Sequence, residues 1–163
     1  MATERANLSF RKNCEGYFTD RKGNVLAKVS EQGIVMFPGG GIDEGEHVEQ
    51  GMLRETFEET GAIIQSLTPL GDVKMVWGSD WAKTEKQKKR YEQFQGDHMH
   101  FFSGVVEKFS QDELKEEDSW DGNKFIKIEE AIQAIKLQLD PSDKDMYEYR
   151  QSQIRFLEGM KSE

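Results

Sequence analysis

Hydrophobic positions along the chain switch between a two-residue and a helical rhythm, and the switches mark the elements. Gly16-Tyr17-Phe18-Thr19 and Val25-Leu26-Ala27-Lys28-Val29 flank the turn-rich stretch Asp20-Arg21-Lys22-Gly23-Asn24, which predicts a β-hairpin. Ile34-Val35-Met36-Phe37 reads as a short strand stopped by Pro38 and three glycines. From about His47 to Thr60 the period becomes helical, with Val48, Met52 and Leu53 at helical spacing and Gly61 as the closing cap. Ile63 to Trp77 reads as strand pieces broken by a turn at Pro69-Leu70-Gly71, and His98 to Phe109 as a long central strand rich in β-formers. Phe125 to Ile128 is a short strand leading into an amphipathic helix that carries Ala131, Ile132, Ile135 and Leu139. A last helix runs from Pro141 to about Met160. Strands interspersed with helices predict an α/β domain. There is no repeat or linker, and 163 residues suffice for one core but are short for two, so residues 1–163 are expected to form a single domain.

Charge narrows the partners. With 22 basic and 31 acidic residues the chain carries a net charge of −9, so nonspecific binding to nucleic-acid backbones or anionic membranes is disfavoured by long-range repulsion. No apolar run approaches the roughly 20 residues of a membrane-spanning helix, and the first twelve residues lack the pattern of a signal peptide. The single Cys14 has no internal disulfide partner, which fits a reducing compartment. A cytoplasmic protein is expected, with self-association as a homodimer left open.

An acidic protein that binds a polyphosphate needs cations at the site, and one segment suggests that the cation is a metal. On the helix, Glu55, Glu58 and Glu59 stand at i, i+3 and i+4 and share a face. They lie near its C-terminal end, where the backbone dipole already presents partial negative charge and each carboxylate is disfavoured by about 0.3–1 kcal/mol. Selection for stability alone would put Lys or Arg there. A divalent cation removes the conflict, and oxygen donors without accompanying Cys or His point to Mg²⁺, with Mn²⁺ as a substitute, rather than zinc. Gly39, Gly40 and Gly41 let backbone approach a ligand closely, with carbonyls for a metal and amides for phosphate oxygens. Arg54 precedes Glu58 by one turn and pairs with it, while Glu46 and Glu49 sit near the helix N-terminus, where negative charge is favoured.

Gly40, Glu46, Arg54, Glu55, Glu58, Glu59 and Gly61 fill all seven fixed positions of the Nudix box, and the chain resembles the Nudix hydrolases on that basis. A chance match is on the order of one in 10⁵ at typical residue usage. The two aliphatic places of the box hold Thr56 and Ala62 instead. The resemblance implies a Nudix fold, an α/β/α sandwich around a mixed β-sheet, that binds one to three Mg²⁺ ions. It implies hydrolysis of a diphosphate linkage in a small, nucleotide-like, phosphate-containing substrate by water attack on phosphorus. Glu55, Glu58 and Glu59 are then the metal ligands, with Glu58 also able to position the water, and Arg54 and Glu46 brace them. Relatives take a base or a further ligand from a loop before the last strand. Here that loop is residues 111–123, with Glu117 or Glu116 as the candidate beside the plainer reading of a solvated acidic run. A dinucleoside polyphosphate hydrolase and a non-catalytic binding module on the same fold stay as alternatives. An isomerase would need a reactive cysteine, and Cys14 lacks the surrounding motif.

Weaker signals carry two readings each. Lys83 to Arg90 holds five cations and one acid. It is either a substrate-binding lid, with Lys88 and Arg90 meeting phosphates, or a solvated surface element. Trp77 and Trp81 are candidates for stacking on a nucleobase and equally for packing. His98 and His100 share a strand face, where a structural role outweighs ligand contact. Cys14 reads as a small buried hydrophobe.

Overall fold

The structure is a computed structural model that describes residues 2–110, 119–120 and 124–161. The elements run α1 (Ala2–Arg5), β1 (Ser9–Thr19), β2 (Asn24–Leu26), β3 (Lys28–Val29), β4 (Val35–Met36), β5 (Gly39–Gly41), α2 (Val48–Thr60), β6 (Ala62–Val76), α3 (Glu85–Gln93), β7 (Phe94–Phe109), β8 (Phe125–Lys127), α4 (Ile128–Leu137) and α5 (Lys144–Met160).

Six strands form one mixed sheet in the order β6-β7-β1-β2-β8, with β5 also paired to β1. β1 and β7 run parallel over the whole of β1, from Ser9 to Thr19. The opposite edge of β1 is therefore divided, Thr19 meeting Val25 of β2 and Asn13 to Glu15 meeting Gly41 to Gly39 of β5. β3 and β4 make a separate two-stranded ribbon.

Both faces of the sheet are covered, so Asn13 to Thr19 are all buried and the alternation that marks a one-sided strand disappears. On one face Cys14, Phe18, Leu26 and Phe102 pack with Met52 of α2. On the other, Tyr17, Val25 and Phe101 pack with Ile128, Ala131, Ile132 and Ile135 of α4 and Leu157 and Met160 of α5. The α/β/α sandwich is thus present. The buried Glu15 joins sheet to α5: it accepts hydrogen bonds from Tyr17 (2.5 Å), Gln153 (3.0 Å) and Tyr149. These donors satisfy a carboxylate that burial would otherwise penalise.

Several expectations hold with shifted bounds. α2 starts at Val48, with Gln50 accepting from the His47 amide at 3.0 Å. It ends at Gly61, whose φ of 76° is the left-handed cap that glycine adopts without a Cβ clash. α5 begins at Lys144 because Asp143 caps it. The hairpin stretch is also found, but its first strand begins at Ser9. Pro69-Leu70-Gly71 does not turn the chain: β6 continues through it as an edge strand, and irregularities in its register with β7 absorb the turn residues. No helix among the described residues is long and apolar enough to cross a membrane.

Candidate active site

Thr56 and Thr60 point α2 toward the sheet while remaining polar: their hydroxyls donate to the carbonyls of Met52 and Thr56 at 2.8 and 2.7 Å. Back-bonding of this kind lets threonine occupy an apolar interface, which explains how Thr56 serves where the box has an aliphatic residue. With that face buried, the adjoining face carries Glu55, Glu58 and Glu59 toward β5.

Arg54 organises these acids. Its Nε and Nη2 grip Glu46 with two bonds of 2.9 and 3.1 Å, and Nη2 also donates to the Gly41 carbonyl at 3.0 Å. Its Nη1 reaches Glu55 at 3.1 Å and Glu58 at 3.3 Å. The planar guanidinium suits such a many-sided contact in a way that an ammonium does not. Surrounded by acids, with Glu46 the largest influence, it is held still more firmly protonated than usual. Glu46, hydrogen-bonded by Arg54 and the Asp43 amide, lies below the usual carboxylate range.

Glu55 and Glu59 go the other way. Burial raises the Glu55 carboxyl against the pull of Arg54. Burial pushes Glu59 up to about 7, with the charge of Glu55 adding to the rise, while the Gly39 amide and the Trp120 side chain pull down. The Gly39 amide donates to Glu59 Oε1 at 2.9 Å.

β5 fits closely under these groups. A Cβ at Gly40 would sit 2.6 Å from the carboxyl carbon of Glu55, and one at Gly39 would sit 2.2 Å from the Cys14 carbonyl oxygen. The three glycines therefore form a strand pressed between β1 and α2. Within the protein, the Gly39 amide serves Glu59 and the Gly41 carbonyl serves Arg54. Cys14 lies beneath, 1% exposed, its thiol donating weakly to the Gly40 carbonyl and pushed up to about 12 by burial. That environment keeps it an unreactive thiol.

The donor set fits a hard divalent cation. Two carboxylates raised above their usual range, one of them under a glycine that leaves no room for a side chain, gain from a cation that offsets their charge. Among the described residues no three carboxylate, imidazole or thiolate groups are gathered closely enough to coordinate one ion.

Of the other expected residues, Lys88 lies on α3, exposed and paired with Glu85 at 3.4 Å. Arg90, at the other end of α3, is close enough to act electrostatically on Arg11 and Asp97. Glu116 and Glu117 lie outside the described residues. Trp120 docks on the site, its amide donating to the Glu59 carbonyl at 2.7 Å.

Sequence reasoning missed Arg11. Its guanidinium lies across Gly41, where a Cβ would come within 2.3 Å of Nη2, and it feels the charge of Glu55. Its Nη1 donates to Asn13 Oδ1 at 2.6 Å, and Asn13 in turn donates to Asp97. Arg11 and Asn13 lie 84 or more residues from Asp97, across the β1–β7 pairing. Only the parallel register brings them together, so no local pattern announces them.

The family model of the NUDIX domain matches residues 16–149. An RNA pyrophosphohydrolase of Actinobacillus pleuropneumoniae is 34% identical over 91 residues, 55% of this chain and 41% of that protein. One of Actinobacillus succinogenes is 51% identical over 53 residues, 32% of this chain and 27% of that protein. The chain thus spans less than half the length of these relatives. In fold alone it is similar to the Escherichia coli dihydroneopterin triphosphate pyrophosphohydrolase, with a TM-score of 0.52 at 14% identity, covering 77% of this chain and 88% of that one. With the domain model covering most of the chain and the box residues gathered at one site, the protein belongs to the NUDIX family.

Proposed function

We propose that the protein is a Mg²⁺-dependent pyrophosphohydrolase that opens a diphosphate linkage in a nucleoside di- or triphosphate or a related nucleoside diphosphate derivative. The observation that carries this reading is the pair of raised carboxylates, Glu55 and Glu59, against the glycine strand and braced by Arg54. Glu55 and Glu59 would hold the cation, with Glu58 as a third ligand once released from Arg54. A bound Mg²⁺ or Mn²⁺ supplies Lewis-acid stabilisation of the attacking and leaving oxygens.

The chain's own residues do the remaining work. Arg54 keeps Glu55 oriented when the cation and substrate arrive, and holds Glu58 until then. Glu58, 38% exposed in its side chain against 18% for Glu55, is the carboxylate in reach of solvent water and orients it or takes its proton. Glu117 is the other candidate for that proton. The water oxygen bonds to phosphorus as the bridging P–O bond breaks, and the departing phosphate leaves with that oxygen. Arg11 and Arg90, both half-exposed cations on the same side, meet the phosphates. A cytoplasmic location fits the lone thiol and the charge.

The names of the relatives add an RNA end to the candidate substrates. The test is a panel of nucleotides, nucleotide sugars, dinucleoside polyphosphates and triphosphorylated RNA, each with Mg²⁺ and with EDTA, with the products resolved by chromatography. Release of phosphate or pyrophosphate that stops in EDTA is expected. Turnover that survives in EDTA overturns the metal assignment, and no turnover on any diphosphate overturns the reading.

A further inference from the structure

The connection from β6 to α3 carries an aromatic pair that the chemistry above does not use. Trp77 is 6% exposed and tied at both ends. Its amide donates to the Gln95 carbonyl at 3.0 Å, and its indole N–H donates to Asp97 Oδ2 at 2.9 Å. Trp81, partly exposed, lies on it with ring centroids 3.7 Å apart and planes within 2°. Aromatic pairs in proteins ordinarily settle offset or edge-on, at roughly 4.5–7 Å. Full-face overlap at van der Waals spacing is instead how a base stacks on an aromatic platform.

The two rings are held unequally. Trp77 is fixed by the sheet and by Asp97. Trp81 is set by a turn, its amide donating to the Gly78 carbonyl at 3.1 Å, in a connection whose residues 78–80 are exposed. A Cβ at Gly78 would meet nothing within 4 Å, so nothing packs over the turn at that position.

The pair is also joined to the carboxylate site. Asp97 holds Trp77 through one oxygen and Asn13 through the other, Asn13 holds Arg11, and Arg11 lies across Gly41 beside Glu55. Trp77 follows β6, and β7, β1 and β5 come next in turn. At about 4.8 Å per strand and 3.3 Å per residue, Trp77 stands roughly 11 Å from Arg11 and roughly 19 Å from the nearest residue of β5. A base, its sugar and two phosphates span the distance to Arg11.

We propose that Trp77 is the platform for the base of the substrate and that Trp81 holds its place until the base displaces it. The inference rests on the pyrophosphohydrolase reading for the identity of the ligand as a nucleotide. Every base has a π-face, so such a platform is tolerant of sequence. The bicyclic ring of Trp81 covers an area matched by a purine, which makes purine nucleotides the favoured ligands.

Two stacked indoles give an exciton couplet in far-ultraviolet circular dichroism, which reports the pair without any turnover. The full chain is titrated with the α,β-methylene analogue of adenosine diphosphate, and separately with methylenediphosphonate, which has no base, both in Mg²⁺. The base-bearing analogue is expected to abolish the couplet and methylenediphosphonate to leave it. Trp77→Leu should weaken the analogue by at least about tenfold and leave methylenediphosphonate unchanged, while Trp77→Phe regains part of the loss. Trp81→Ala should bind the analogue as tightly as the wild type or more tightly, since nothing has to move; it also carries the test if Trp77→Leu fails to fold. A couplet that survives saturation, wild-type affinity in Trp77→Leu, or weakened binding in Trp81→Ala overturns the proposal. So does failure of the analogue to bind while a base-free diphosphate is hydrolysed. In that case the pyrophosphohydrolase reading stands and the platform falls. Base-dependent loss of the couplet in a protein that hydrolyses nothing has the opposite meaning.

Discussion

Replacing Glu59 by Gln should make the metal-free protein more stable, by an amount that depends on pH. In the folded protein burial and the charge of Glu55 push the Glu59 carboxyl from its ordinary value of 4.5 up to about 7. At about 1.4 kcal/mol per tenfold change in proton affinity, that difference costs the folded state about 3 kcal/mol once the group is ionised. Below about pH 4.5 both folded and unfolded chains carry the neutral acid, and nothing is lost. Between 4.5 and about 7 the unfolded chain ionises while the folded one keeps its proton, so wild-type stability falls as pH rises. Above about 7 the whole cost is present. Glutamine cannot ionise and still offers an oxygen to the Gly39 amide. The assay is urea unfolding of EDTA-treated wild type and Glu59→Gln across this range. Their difference should grow from near zero at the acid end to about 3 kcal/mol in favour of the variant at about pH 8. Mg²⁺ at a hundred times its dissociation constant should then restore about 2.7 kcal/mol to the wild type and little to the variant. A Glu59→Gln protein no more stable than wild type at about pH 8, or a difference that ignores pH, would refute the electrostatic account.

With Mg²⁺ and an identified substrate, Glu59→Gln should lower kcat by at least about 100-fold, the scale of losing a major charge-stabilising group; a near-normal kcat sinks its role at the metal. Arg54→Lys keeps the charge but not the fork that spans Glu46, Glu55 and Glu58. Metal titration should therefore show about a 10- to 100-fold weaker site, the usual effect of losing a residue that orients ligands, and an unchanged affinity counts against the bracing role. Changing Lys86, Lys88, Lys89 and Arg90 together to serine should raise KM with little change in kcat, and less so at high salt. Arg90→Ser alone should reproduce most of the effect, because Arg90 is the cation of α3 that acts on Arg11 and Asp97. A KM unmoved at low ionic strength would return the segment to a solvated surface helix.

What the sequence disclosed and what it hid divide along the range of the interactions. α2 was legible because its period, its glycine cap and its acids are all local, and a helix fixes where residues three and four apart must stand. α4 was legible for the same reason, since Ile128, Ala131, Ile132 and Ile135 form one apolar stripe. The length of β1 was not. Arg11 and Lys12 interrupt the apolar pattern at its start, and its pairing with β7, which fixes them, is a contact between segments more than 80 residues apart. The turn expected at Pro69 failed for a related reason. Turn chemistry is local, but the long ladder with β7 is stronger than the preference of one short peptide.

The glycine strand shows that a motif can mark positions without naming what packs against them. The motif marks Gly39, Gly40 and Gly41 as places where a side chain is not tolerated, and a ligand pressing on the backbone is the natural inference. In the structure protein itself presses there: Cys14 of β1 against Gly39, the carboxyl of Glu55 against Gly40 and the guanidinium of Arg11 against Gly41. The contacts at Gly40 and Gly41 keep charged groups at the site's edge that a side chain on β5 would have pushed away. The glycines thus make room for Glu55 and Arg11 at the site. Alanine at Gly40 should accordingly displace Glu55 and weaken metal binding even where no ligand contacts residue 40, because the added carbon would stand 2.6 Å from the Glu55 carboxyl carbon and the carboxylate, not the backbone, is the part free to give way.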